Sequence, residues 1–377
     1  MNAIYLDNAA TTSMYPEVIE VMHTAMVENY GNPSSTHQFG RKAKSSVETA
    51  RKNIAKHFNV SAAEIIFTSS GTEADNLILY NAILNLDVTR IITSKIEHHA
   101  VLHACDFLQT SENIVVEYVN VDAFGNVDVL HLEKLLKVSK VKTLVSLMMI
   151  NNEIGNLLSV HEIANVCKLN NALFHSDTVQ VIGHYKIDLQ TTMIDFMVAS
   201  AHKFHGPKGV GFAFFRKGFG IVPMLHGGGQ EKGARSSTEN VHAILGMEKA
   251  LEIAHNTIEE DKIHIENLKI YFITELKKIS KDFQFNGHSG DLEKSSYTIL
   301  SVRFPTQNEM LLFSLDLAGI AVSGGSACQS GSNKGSHVLS EILKDGEEDK
   351  TSIRFSFCKF TRKEDIDCTI LKLKELF

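Results

Sequence analysis

Proline and cysteine are scarce in this chain, five of each in 377 residues. The cysteines are Cys105, Cys167, Cys328, Cys358 and Cys368, an odd number without a C-x-x-C pair, so neither a disulfide framework nor a zinc knuckle is expected. No apolar run approaches the ~20 residues that span a bilayer. The first residues, Met1 to Asp7, lack a basic stretch followed by an apolar one, so no signal peptide is expected and the cytoplasm is the default compartment. Basic runs with interleaved aromatics are also missing. With a formal charge of −7, nucleic acid is excluded as the main partner.

What is present is an ordinary soluble composition, 44% apolar and 21% charged, with enough chain for a large core and roughly two domains. Apolar runs of strand length alternate with helical patterns over the first 220 residues or so: 65–68, 90–93, 114–119 and 143–147. That alternation predicts crossover units and a mostly parallel sheet, an α/β fold. From Val241 to about Ser280 the pattern is helical for longer than usual, with a break expected near Asn256. Short alternating strands and helices at roughly 308–318, 336–344 and 363–375 then predict a smaller α+β part.

Chemistry-bearing residues recur where these strands end. Ser200-Ala201-His202-Lys203 follows the apolar run 196–199 and hands a lysine to a turn rich in glycine and proline. A lysine becomes a nucleophile only when neutral, and burial favours that form, so Lys203 is a candidate Schiff-base residue; taken alone it also fits a surface lysine. Asp177 ends another apolar run and offers the carboxylate that a pyridinium nitrogen requires. Ser70-Gly71-Thr72 lies between a strand and a helix, where converging N–H groups suit a phosphate, although a capping turn fits the same residues. His98 and Asn152 follow two further strands. In open α/β sheets this edge is where ligands bind. Unlike the other cysteines, which read as small core residues, Cys328 sits in the small, polar, glycine-rich stretch 323–332.

With the blocks Tyr5–Thr12, Asn32–His37, Gly71-Thr72-Glu73, Glu97-His98, Asn151–Gly155, Ser200–Gly206, 227–230 and the Cys328 stretch in this order, the sequence resembles the class V aminotransferases of fold-type I, and within them the cysteine desulfurases of the NifS and IscS kind. The resemblance implies a large domain over 13–258 that binds pyridoxal 5'-phosphate (PLP), and a small α+β domain from 1–12 with 259–377 that carries a cysteine loop at about 323–335. It implies that Lys203 holds PLP covalently, Asp177 keeps the ring nitrogen protonated, His98 stacks on the ring, and Gln180 bonds the ring hydroxyl. Thr72, Ser200 and His202 would bind the phosphate, with Gly71 giving backbone room. Asn152 and Arg354 would hold the substrate carboxylate, and Thr238, on the stretch 226–238, would reach the PLP phosphate of a second subunit.

The activity so implied is conversion of L-cysteine to L-alanine by a homodimer, with Cys328 taking the sulfur as a persulfide and His98 as an acid/base beside it. An iron–sulfur scaffold protein is the implied acceptor. A selenocysteine lyase, or another class V PLP lyase or transaminase, is the alternative, and it would not need Cys328. A PLP-binding protein without turnover is the remaining one.

Overall fold

A computed structural model describes residues 3–308, 310–324 and 335–377. Its central seven-stranded sheet runs in the order Ile65–Thr68, Gly211–Phe215, Phe196–Ser200, Leu173–Ser176, Thr143–Ser146, Arg90–Thr93, Val115–Tyr118. Gly211–Phe215 is antiparallel to both neighbours, and the other pairings are parallel. The five inner strands from Gly211–Phe215 to Arg90–Thr93 are buried almost throughout, which is why they read as mostly apolar runs instead of alternating ones. The predicted mostly parallel α/β sheet is therefore present.

Apolar cores lie behind each of two sheets. One, in two clusters, covers both faces of the large sheet, with Phe174, Met197 and Phe212 in the first and Ile91, Phe196 and Val198 in the second, all fully or almost fully buried. The other gathers Leu6, Phe272, Leu300, Phe355 and Leu373 around a four-stranded antiparallel sheet ordered Ser323–Gly324, Ser352–Ser356, Ile299–Arg303, Gln284–Phe285. The N-terminal strand Ile4–Tyr5 pairs in parallel with Ile320–Ala321, so the start of the chain lies against its last third.

Val241–Ile279 is one uninterrupted helix of 39 residues, without the break expected near Asn256. The Thr257 hydroxyl bonds both the Ile253 carbonyl and Asp261, and Lys359 bonds the same hydroxyl and carboxylate, so the polar stretch is satisfied without leaving the helix. The helix that follows Ile65–Thr68 opens at Gly71, because Ser70 caps it by accepting the Glu73 N–H. Cys105, Cys167 and Cys358 are buried, whereas Cys368 is exposed, since it lies on the outer face of the terminal helix Lys363–Leu376. Among the described residues no helix is long and apolar enough to cross a membrane.

Candidate active site

A cavity of about 250 Å³ opens at the carboxyl ends of the parallel strands. Gly71, Thr72, His98, Asn152, Asp177, Gln180, Ser200, His202, Lys203 and Arg354 all line it. Each arrives by a short, local route. Phe196–Ser200 ends in a single 3₁₀ turn, Ala201–Lys203, that turns the lysine back into the cavity. Its Nζ donates to the Ala9 and Ala10 carbonyls at 2.7 and 2.8 Å. The Gln180 side chain donates to the same Ala9 carbonyl at 3.0 Å. Small residues at 9–10 let backbone come this close to the lysine, which explains a block that local sequence alone leaves as a turn.

Around the lysine, burial sets the charge states. Asp177 accepts the Val179 N–H at 2.9 Å. Burial pushes its carboxyl above the usual carboxylate range, while that hydrogen bond and the Lys203 ammonium pull it back. His98 caps the helix His99–Ser111 by accepting the Ala100 N–H on Nδ1 at 3.1 Å. Burial first, and then the Lys203 charge, lower it to about 4, so the imidazole is neutral at pH 7 with its proton on Nε2. His202 is likewise lowered to about 4, by burial and then by Lys203, and its Nδ1 lies 3.1 Å from the Thr11 hydroxyl.

The helix Gly71–Leu84 points its N-terminus at this cavity, with Thr72 at its second position and Ser200 beside it. Exposed N–H groups, two hydroxyls and an imidazole form a donor set suited to a phosphate. A Cβ on Gly71 would meet the Val179 side chain at 2.6 Å, so glycine is required for Val179 to pack against the helix start. Taken together, a phosphate cradle, a buried carboxylate for a ring nitrogen, a neutral imidazole and an amine fit PLP.

Arg354 approaches from the second sheet. Read locally it fits an edge-strand residue, but its strand is flanked on both sides, and it is 5% exposed. Nη1 donates to the Asn152 carbonyl and Nη2 to Asp7, both at 2.8 Å. Two groups escaped the sequence reading. Asp75 is fully buried on the cavity wall, its carboxyl pushed far up by burial and by Asp177. His175 lies 3.3 Å from it and is lowered by burial to about 3. An acidic side chain shortly before the apolar helical run Leu77-Ile78-Leu79 was the available signal for Asp75.

Thr238 is exposed and does not line the cavity of its own chain. Its segment is anchored by Glu231, whose buried carboxylate takes a two-pronged bond from Arg51 at 2.6 and 2.7 Å. Cys328 lies outside the described residues.

The Aminotransferase class-V family model matches residues 4–368. The chain is 41% identical to a protein named cysteine desulfurase IscS from Dictyoglomus turgidum, an alignment that takes in 99% of this chain and 94% of the relative. It is also 41% identical to a putative cysteine desulfurase IscS 1 from Bacillus subtilis, across 95% and 94% of the two chains. A solved structure of a NifS-like protein superposes with a TM-score of 0.91 at 38% identity, covering 99% of each chain.

Proposed function

Because the chain belongs to the class V aminotransferases, and among them to the cysteine desulfurases, we propose that this cavity converts L-cysteine to L-alanine with PLP bound to Lys203. The observation that carries the reading is the convergence of Lys203, Asp177, His98, Thr72 and Arg354 on one cavity. When bound there, PLP supplies an electron sink for the bond broken at the substrate's α-carbon.

The chain's own residues do the rest. Thr72, Ser200 and His202, with Gly71 at the helix N-terminus, hold the phosphate. Asp177 would pair with the ring nitrogen and keep its proton in place, Gln180 would hold the ring hydroxyl, and His98 would stack on the ring. Arg354 pairs with the substrate carboxylate, a planar group that a guanidinium matches with two parallel bonds, and Asn152 supports it. Lys203 would take the α-proton at Nζ. The neutral His98 holds a proton on Nε2 for the substrate side of the site. Cys328 then attacks the substrate sulfur as a thiolate. An S–S bond forms, the substrate C–S bond breaks with its electrons left on carbon, and a returned proton completes L-alanine. Enzyme thiol plus L-cysteine thus balances as enzyme persulfide plus L-alanine.

Three further assignments belong to this reading. The large domain is 13–258 and the small one 1–12 with 259–377, in line with the two apolar cores and the pairing of the N-terminal strand. The enzyme is a homodimer, a reading supported by Thr238, which is exposed on an anchored segment and does not line its own cavity. An iron–sulfur scaffold protein in the cytoplasm receives the sulfur.

Release of alanine and sulfide from L-cysteine with a reductant tests the proposal, for the purified protein and for Cys328→Ala and Lys203→Ala. Both variants should fail, with Cys328→Ala keeping the PLP absorption band. Full activity in Cys328→Ala would replace the persulfide step with lyase or transaminase chemistry.

A further inference from the structure

The guanidinium that reads as the substrate's carboxylate partner is itself held by a residue with no assigned role. Asp7 follows the N-terminal strand and forms a parallel bridge with Ser356. Its Oδ1 accepts Arg354 Nη2 at 2.8 Å and also the Ser323 hydroxyl at 2.8 Å. The pair is well shielded, with side chains 6% and 18% exposed. Arg354 Nη1 is fixed from the other side by the Asn152 carbonyl, and the buried Nε makes no hydrogen bond among the described residues. The two terminal nitrogens are therefore each held by a different protein oxygen, through one of their two hydrogens. The plane of the fork is set by protein, and the remaining hydrogens are left for a ligand.

We propose that Asp7 is a positioning residue for α-carboxylate recognition: with the Ser323 hydroxyl holding its carboxylate in place, it orients Arg354 toward the cavity. This rests on the reading of Arg354 as the carboxylate partner. Chain connectivity supports the arrangement. Asp7 and Arg354 are 347 positions apart, and the contact closes the N-terminal segment onto the sheet that carries the arginine. A long side chain such as arginine loses much rotamer freedom when immobilised, so fixing it in advance spares that loss when substrate binds.

A matched pair of ligands separates orientation of Arg354 from general damage. L-alanine carries the carboxylate and ethylamine is the same amine without it; the binding of each to the holoenzyme is read from the change in cofactor absorption. Asp7→Ala should weaken L-alanine about tenfold and leave ethylamine unchanged. Asp7→Asn keeps an acceptor oxygen and should recover most of that loss, and Ser323→Ala should weaken L-alanine less than Asp7→Ala does. Arg354→Gln must weaken L-alanine more than any of these. If Arg354→Gln binds L-alanine as the parent does, the reading of Arg354 fails. If Arg354→Gln loses affinity while Asp7→Ala does not, the positioning role alone is overturned. Equal loss of both ligands in Asp7→Ala overturns it too. Should Asp7→Ala not fold, Asp7→Asn and Ser323→Ala decide: L-alanine affinity at parental level in both overturns the proposal, and a selective loss in Ser323→Ala sustains it.

Discussion

Two lysines in this molecule each donate to a pair of oxygens, one at the edge of a cavity and one in the core, and they have opposite prospects. Lys203 donates to the Ala9 and Ala10 carbonyls at the edge of a cavity of about 250 Å³. Lys269, on the long helix, is fully enclosed and donates to the Ser295 hydroxyl at 3.0 Å and the Ser296 carbonyl at 2.7 Å. Burial lowers Lys269 to about 7, with Asp291 and Glu266 opposing weakly. Desolvation alone therefore yields a readily neutralised amine, and nothing follows from it chemically. Around Lys203 stand a buried carboxylate, a neutral imidazole and a helix N-terminus. A reactive lysine is made by what a ligand would meet beside it, and by the space to meet it.

The sharpest way to break this contrast is to remove each amine. Lys203→Ala should lower kcat by about 10³-fold or more, the range lost with a positioned proton-transfer group and covalent anchor, and the PLP-bound absorption should change with it. Retained turnover would mean that another base serves, and Lys269 would then have to be reconsidered. A smaller loss should follow Asp177→Asn, which preserves shape and removes charge. Turnover should drop about 10²-fold while PLP stays bound, measured by absorption and steady-state rates on the same sample. Loss of PLP binding instead would make Asp177 an anchor and not an electronic partner.

How much of this was legible in the sequence follows the distance over which each feature is encoded. Lys203, Asp177 and Gly71-Thr72 could be read because each is a polar group directly behind an apolar strand, a signal contained in a few residues. The antiparallel strand Gly211–Phe215 escaped in part because one of its neighbours, Ile65–Thr68, lies far away in the chain, although the other, Phe196–Ser200, is joined to it by a short connection. The expected break at Asn256 failed for a similar reason, since the groups that satisfy Thr257 include Lys359, 102 positions away. Asp7 was visible as part of a block, yet its use depends on a contact across nearly the whole chain. Lys269 resembled any helical lysine, because Ser295 and Ser296, which enclose its amine, lie beyond the next turn of chain.

Lys269→Met carries the smallest effect and isolates the other half of the comparison. A folded value of about 7 against 10.5 for a free lysine means that the unfolded chain binds more protons between those limits, so wild-type stability rises with pH across that window. Below pH 7 both states are protonated and the slope vanishes. The ceiling is about 1.4 kcal/mol per pH unit. Methionine cannot titrate, so urea unfolding at pH 7, 8 and 9 should show the wild type gaining on the variant with each step. The offset between them mixes two acceptors left unpaired with a desolvation cost removed, whereas the slope reports the titration alone. Turnover should stay within about twofold of the parent, as for a substitution outside the site. A constant stability gap across that range would show that Lys269 stays charged in the fold. A large loss of turnover would mean that Ser296, whose N–H bonds the Gly155 carbonyl in the turn that carries Asn152, transmits the lysine's position to the cavity.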